Sequence, residues 1–478
     1  MMEIKFNNLK SRREFLSNSL TGLGATALGT LTNPISNTFR SHSSGKIPHF
    51  APKAKRVIFL FQAGGPSQMD LFDYKPLLNQ LNGKEIPESI RGKQRVSGMV
   101  SAQGKFPIAG SHFKFNQYGE SGSWVSDLMP HTAEIVDDLC FIKSMNTNAI
   151  NHDPGVTFIQ SGSEQTGRPS MGSWVSYGLG SSNKNLPDYV VLLSRGIRIQ
   201  TTLKSTLWGN GFLPSHHQGV QFRSGKDVIH YLNNPNGVDK IKRRKALDFI
   251  QNMNEIEYQT SLDKEIATQI KQYEMAYRMQ MSVPDVTDVS KEKDKIKEMY
   301  GPDVNVPGSF AANCLLARKL AEQDVNFIQL YHMGWDHHFD LPSRLRASCQ
   351  QTDQPVAGLI KDLKMRGLLE DTLIIWGGEF GRTSFSQGTL TNNNYGRDHH
   401  PRCFTVWLAG GGVKKGLAYG HTDEFGYNII QDPVHVHDLQ ATILHLLGID
   451  HERLTYKHQG RYYRLTDVHG KVVKEILA

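Results

Sequence analysis

The chain has 478 residues, 38% of them hydrophobic, with a mean hydropathy of −0.43 and a formal net charge of +8. That length allows one large domain or two medium ones, and no stretch approaches the roughly 20 unbroken apolar residues of a membrane span. The basic excess is dispersed: its densest run, KIKRRK at 240–245, reads as a solvated helix face, so no nucleic-acid partner is expected, and the excess points instead to an anionic substrate.

The first predicted element is not part of the fold. SRREFL at 11–16 places Arg12 and Arg13 before a mildly apolar, glycine-rich segment, which is the pattern of a twin-arginine export signal. Gly22, Gly24, Gly29 and the Asn33-Pro34 break argue against a helix of the folded domain. Residues 1–44 are therefore assigned to an export signal and linker, and residues 45–478 to the mature domain. This implies passage through the twin-arginine translocase and a periplasmic or extracellular location.

Short apolar runs then alternate with helical patterns. RVIFLF (56–61), LCFIKSM (139–145) and DYVVLLS (188–194) read as strands. NFIQLY (326–331) follows a helical run, SFAANCLLARKLAEQ, and TLIIWG (372–377) follows another at 356–369. FTVWLAGGG (404–412) and an amphipathic helix at 437–450 complete the series. Residues 225–300 are highly charged and read as a helical insertion. The alternation predicts an α/β fold with a mainly parallel central sheet and helices on both faces. The four cysteines, Cys140, Cys314, Cys349 and Cys403, form no C-x-x-C pair, so a zinc ribbon and a thioredoxin-type site are excluded.

The unusual polar residues follow the strands, where open α/β sheets bind ligands. Asp70 follows the first strand and His152 the second. Asp336 and His338 lie in GWDHH, Glu379 and Arg382 in GEFGRT, and Asp398, His399 and His400 in GRDHHP. Carboxylates gathered on one rim repel one another, and a divalent cation removes that cost. Mixed Asp, Glu and His sets suit zinc, manganese or calcium. Asp336, His338, Glu379, Asp398, His399, His400 and Asp70 are therefore the expected metal ligands.

GGPSQMDLFDYKP (64–76), NHDPGVTFIQSG (151–162), GWDHH (334–338), GEFGRT (378–383), GRDHHP (396–401) and AGGGVKKGLAYGHTDEFG (409–426) resemble the domain of unknown function 1501 family. The resemblance covers nearly all of the mature chain and implies the fold and metal site of the alkaline phosphatase and sulfatase superfamily. In sulfatases a C-x-P-S-R-x-x-x-x-T-G segment carries the nucleophile; here HDPGVTFIQSG (152–162) puts His152 at that position. Where superfamily members carry aspartates after the first strand, this chain has Gln62-Ala63, and an expected histidine ligand is replaced by Phe380. One metal position is thus retained and the second altered, unless Asp70 and His152 rebuild it.

The resemblance implies a hydrolase of phosphate or sulfate esters, with His152 as ligand, base or nucleophile. Arg382, Arg397 or Arg168 would hold an anionic oxygen. Thr157 and Ser161 are alternative hydroxyls, set at helical spacing after Pro154 and expected to turn away. The expected partner is an anionic small molecule or polysaccharide. The competing expectation is a non-catalytic metal- or ligand-binding protein of the same fold.

Overall fold

RVIFLFQA, the first strand of the domain, lies in the interior of the central sheet with all eight residues buried. A run this apolar is covered on both faces, and the computed structural model, which describes residues 48–478 apart from 182, 195, 197–202, 224–227, 230–233, 235–237 and 263, bears this out. The export-signal expectation for residues 1–44 falls outside the described residues. Among the described residues no helix is long and apolar enough to cross a membrane.

In chain order the strands of the central sheet and of the ribbon beside it are β1 (Arg56–Ala63), β2 (Leu139–Asn146), β3 (Tyr189–Ser194), β4 (Val220–Phe222), β5 (Phe327–Met333), β6 (Thr372–Gly377), β7 (Gly381–Ser386), β8 (Arg397–His400), β9 (Phe404–Ala409), β10 (Leu417–Tyr419) and β11 (Val434–His435). Nine of these form the central sheet in the order β10-β2-β9-β6-β1-β5-β3-β4, with β11 also paired to β2. β1 runs parallel to both β5 and β6, in the registers Val57 to Phe327 and Arg56 to Thr372.

The exception is β9, which is antiparallel to both β2 and β6. The sheet is thus mainly parallel, as expected, with β9 as a reversed strand. β6 is followed by the two-stranded ribbon β7–β8 and not by a crossover helix. The ribbon returns the chain to the rim it left, so the next strand must run backwards.

The helices include α1 (His152–Ser161), α2 (Met171–Leu179), α3 (Lys240–Ser261), α4 (Lys264–Thr287), α5 (Asp294–Tyr300), α6 (Phe310–Glu322), α7 (Leu341–Met365) and α8 (Val436–Leu446). Alternation along β1 divides the core. Ile58 and Leu60 join the cluster containing α6 and α7, while Val57, Phe59 and Phe61 join the one containing α1, α2 and α8. Residues 240–300 carry the helices α3, α4 and α5. Asp239 caps α3 by accepting from Lys242 N at 2.7 Å, and Arg244 of the basic run pairs with Asp248 and with Glu274. All four cysteines are buried and unpaired.

Candidate metal centre

Each strand end delivers one part of the site. β1 leads into Gly64, whose φ is +122° and whose added Cβ would lie 2.5 Å from Asp336 N. Only glycine permits that turn against the loop after β5. Its amide then donates to both oxygens of Glu379, at 3.0 and 3.1 Å. Gly396 allows a second close approach, since a Cβ there would stand 1.7 Å from His338 O. The ribbon β7–β8 can therefore lie against the GWDHH loop, with Arg397 N donating to His337 O at 3.2 Å.

The geometry brings together His152, Asp336, His338 and His399, whose ligand-type atoms all lie within 4.8 Å of one another. One oxygen, Asp336 Oδ1, is the focus. His338 Nε2 stands 2.8 Å from it, His152 Nε2 3.1 Å and His399 Nε2 3.5 Å, and Arg382 Nη2 donates to it at 2.6 Å. Four nitrogens around one oxygen exceed its two lone pairs.

The opposite nitrogen of each imidazole is fixed. His152 Nδ1 donates to Glu379 Oε1 at 2.6 Å, His338 Nδ1 to Gln387 Oε1 at 2.5 Å, and His399 Nδ1 to Ile150 O at 2.8 Å. In the neutral form of each ring Nδ1 carries the proton, and each Nε2 then turns a lone pair to the same point. The Nε2 atoms of His152 and His399 are buried without a hydrogen-bond partner. Orphaned, convergent lone pairs whose rings are oriented from behind are what a divalent cation requires, so the residues present fit such an ion.

Burial pushes Asp336 up, but Arg382 and the three imidazoles more than offset it and hold the carboxyl far below the usual range. Burial pulls His152 down, yet its hydrogen bonds to the Asp336 and Glu379 carboxylates raise it to about 9, so a cation at this point would displace a proton from Nε2. His399 is lowered to about 3 by burial, so its imidazole is neutral.

Glu379 therefore stands behind His152 and outside the four-residue cluster. Three other expected ligands lie elsewhere. Asp70 is wholly buried and paired with Arg397 Nε at 2.8 Å. Asp398 accepts from Ser97 Oγ at 2.6 Å, and His400 Nε2 meets Tyr427 O at 2.7 Å while its ring stacks on Tyr427. In GWDHH, His337 turns into the core, where burial lowers it to about 3.

Arg382 braces Asp336 and not Glu379. Its guanidinium is 1% exposed and also serves the carbonyls of Gly64, Gly65 and Arg397. Arg397 is held by Asp70, and Arg168 by Asp467 at 3.2 Å. Thr157 and Ser161 return their hydroxyls to Asp153 O and Thr157 O within α1. Phe380, where a ligand was missing, lays its ring against His152 and His399, with centroids 5.0 and 4.5 Å away. Asp70 is held by Arg397, while His152 groups with Asp336, His338 and His399.

Residues 54–477 match the family described as Protein of unknown function (DUF1501). No curated protein matches the chain. Distant likenesses exist among solved structures. Alkaline phosphatase from the Antarctic bacterium TAB5 is 11% identical over 83% of this chain and 98% of its own, with a TM-score of 0.32. A protein in the alkaline phosphatase superfamily from Vibrio parahaemolyticus is 11% identical over 88% and 72%, with a TM-score of 0.34. The PsFucS1 sulfatase from Pseudoalteromonas is 13% identical over 84% and 69%, with a TM-score of 0.32.

Proposed function

The chain belongs to the DUF1501 family, and from that premise we propose that it is an exported, metal-dependent hydrolase of phosphate or sulfate esters. The observation that carries the reading is the set of three imidazoles, each pinned through Nδ1 and each turning Nε2 to Asp336 Oδ1. His152, Asp336, His338 and His399 would hold the ion. A bound divalent cation supplies Lewis-acid polarisation of an ester oxygen and lowers the pKa of a coordinated water. The chain's own residues prepare that chemistry: Glu379 fixes the His152 ring, Gly64 N fixes Glu379, and Arg382 fixes the Asp336 carboxylate. The side chains of His152 and Asp336 remain 18% and 14% exposed, so the cluster opens to solvent as a catalytic site must and a closed structural site does not.

The engagement of Arg382, Arg397 and Arg168 favours a second reading, a non-catalytic metal-binding protein. One experiment separates the two. Protein purified from cells supplied with zinc, manganese and calcium is expected to carry about one divalent ion per chain. It should hydrolyse 4-nitrophenyl phosphate or 4-nitrophenyl sulfate, lose that activity to a chelator and regain it with metal. Metal without hydrolysis of either ester leaves the binding reading; protein without metal removes both.

Export rests on Arg12 and Arg13. Replacing both by lysine is expected to hold the precursor in the cytoplasm, measured by fractionation and immunoblot. Undiminished export of that variant would remove the assignment.

A further inference from the structure

Arg382 and Arg397 are buried and spent on carboxylates and carbonyls, so a side-chain cation that meets substrate charge is sought on another part of the rim. A cavity of about 490 Å³ shares a wall with the metal centre. Ile150, which lines it, is the residue whose carbonyl fixes His399. Arg402 enters it two residues after His400, and Arg95 enters it from the segment that also supplies Ser97 to Asp398. Both arginines are exposed, and neither makes an ion pair or hydrogen bond among the described residues.

Two further features give the cavity chemical definition. Thr147 is only 7% exposed and lines the cavity, and its hydroxyl has no hydrogen-bond partner. Its backbone is fixed by a bond from Thr147 N to Pro401 O at 2.9 Å. A buried hydroxyl with no protein partner, in a wall flanked by two unpaired guanidinium groups, is placed to bond something that enters. The side chains of Asn146 and Asn148 add amides that both donate and accept, as recognition of sugar hydroxyls requires. The volume suits a unit of about one sugar ring and its substituents, within the roughly 300–1,000 Å³ usual for ligand pockets.

We propose that this cavity is a subsite for an anionic saccharide unit, in which Arg95 and Arg402 hold a sulfate or phosphate substituent, Thr147 donates to it, and Asn146 and Asn148 meet ring hydroxyls. The substrate is then a polyanion that offers one ester to the metal centre and a second charged group to this cavity. The substrate class rests on the hydrolase reading; the binding site itself does not.

The test uses the full mature protein and an Arg95→Gln, Arg402→Gln double variant, with Thr147→Val as a second variant. Calorimetric titrations employ a trisulfated heparin disaccharide, glucose 1,6-bisphosphate and neutral maltose. Wild type is expected to bind one of the two anionic sugars and not maltose, and whichever binds identifies the substituent as sulfate or phosphate. The double variant should bind it about tenfold more weakly or worse, since charge-assisted bonds are the strong ones, and Thr147→Val should also weaken it. Metal content should be unchanged in both variants. Binding that survives chelation but is lost in the double variant supports the subsite even if no ester is hydrolysed, in which case only the hydrolase reading falls. Absence of binding of either anionic sugar to wild type, or equal binding by wild type and the double variant, overturns the subsite even if simple esters are hydrolysed.

Discussion

Replacing His338 and His399 together by alanine is expected to weaken divalent-ion binding by at least about 100-fold, because loss of an outer partner alone costs roughly 10–100-fold and these are the ligands themselves. The pair is chosen because Arg382 still balances the Asp336 carboxylate when both rings are gone. Asp336 is less clean: among the described residues it is the only carboxylate paired with the Arg382 guanidinium, so Asp336→Ala would strand a buried cation as well as empty the site. Glu379→Gln makes the graded comparison. It keeps an acceptor for His152 Nδ1 but loses the negative charge behind it, and should fall within that 10–100-fold range. Titration with zinc, manganese and calcium followed by elemental analysis measures both effects, and near-UV circular dichroism reports the fold. Unchanged metal content in the double histidine variant would remove the site.

The residue types of this site were legible in the sequence, and their directions were not. Carboxylates and imidazoles after successive strands pointed to one rim, because strand ends of an open sheet share an edge. Which member of each Asp-His-His run faces the cleft depends on local backbone. In GWDHH the chain turns His337 into the core between Asp336 and His338. In β8 an irregularity between Arg397 and His399 sets the register, leaving His399 on the cluster while Asp398 and His400 point to Ser97 and Tyr427. The groups that orient the imidazoles were less visible still. Ile150 contributes a backbone carbonyl, which any residue could supply, and Gln387 is an ordinary loop glutamine. Gly64 and Gly396 were the written clues, since glycines at these turns are what close backbone approaches demand.

The strands were read within a residue or two of their bounds because their apolar runs are continuous: 56–61 against Arg56–Ala63, and 372–377 as Thr372–Gly377. The reversal of β9 was not, because direction depends on the connection that precedes a strand and not on its own residues. The ribbon β7–β8 carries no strand signal in the sequence, since its strands hold Arg, Thr, Ser, Asp and His where an apolar alternation would mark them.

Asp70 shows how a residue that resembled a ligand serves another end, and it carries the largest stability prediction. Asp70 and Arg397 are both 0% exposed and lie 327 positions apart in the chain. Asp70 also accepts from Ser67 Oγ at 2.5 Å and Tyr395 OH at 2.7 Å, while Arg397 donates to Thr383 O at 3.0 Å and Ala109 O at 2.9 Å. Asp70→Asn leaves the guanidinium buried without its counterion, which is expected to cost about 3–5 kcal/mol in denaturant unfolding. Arg397→Met strands the carboxylate in the same way, and the double variant Asp70→Asn, Arg397→Met should recover part of the loss, because an uncharged pair has no desolvation debt. The pH dependence has a fixed sign. Burial pushes Asp70 up, but Arg397, Ser67 and Tyr395 outweigh it and hold its pKa below the ordinary value. A carboxyl lowered by folding contributes stability above its unfolded pKa of about 3.9 and loses it as the pH falls through the folded value. The gap between wild type and Asp70→Asn should therefore be full at pH 6 and close progressively below about pH 4. A gap that stays constant through that acid range would mean that Asp70 is not ionised in the folded protein, and that the buried pair does not tie β8, and with it His399, to the turn after β1.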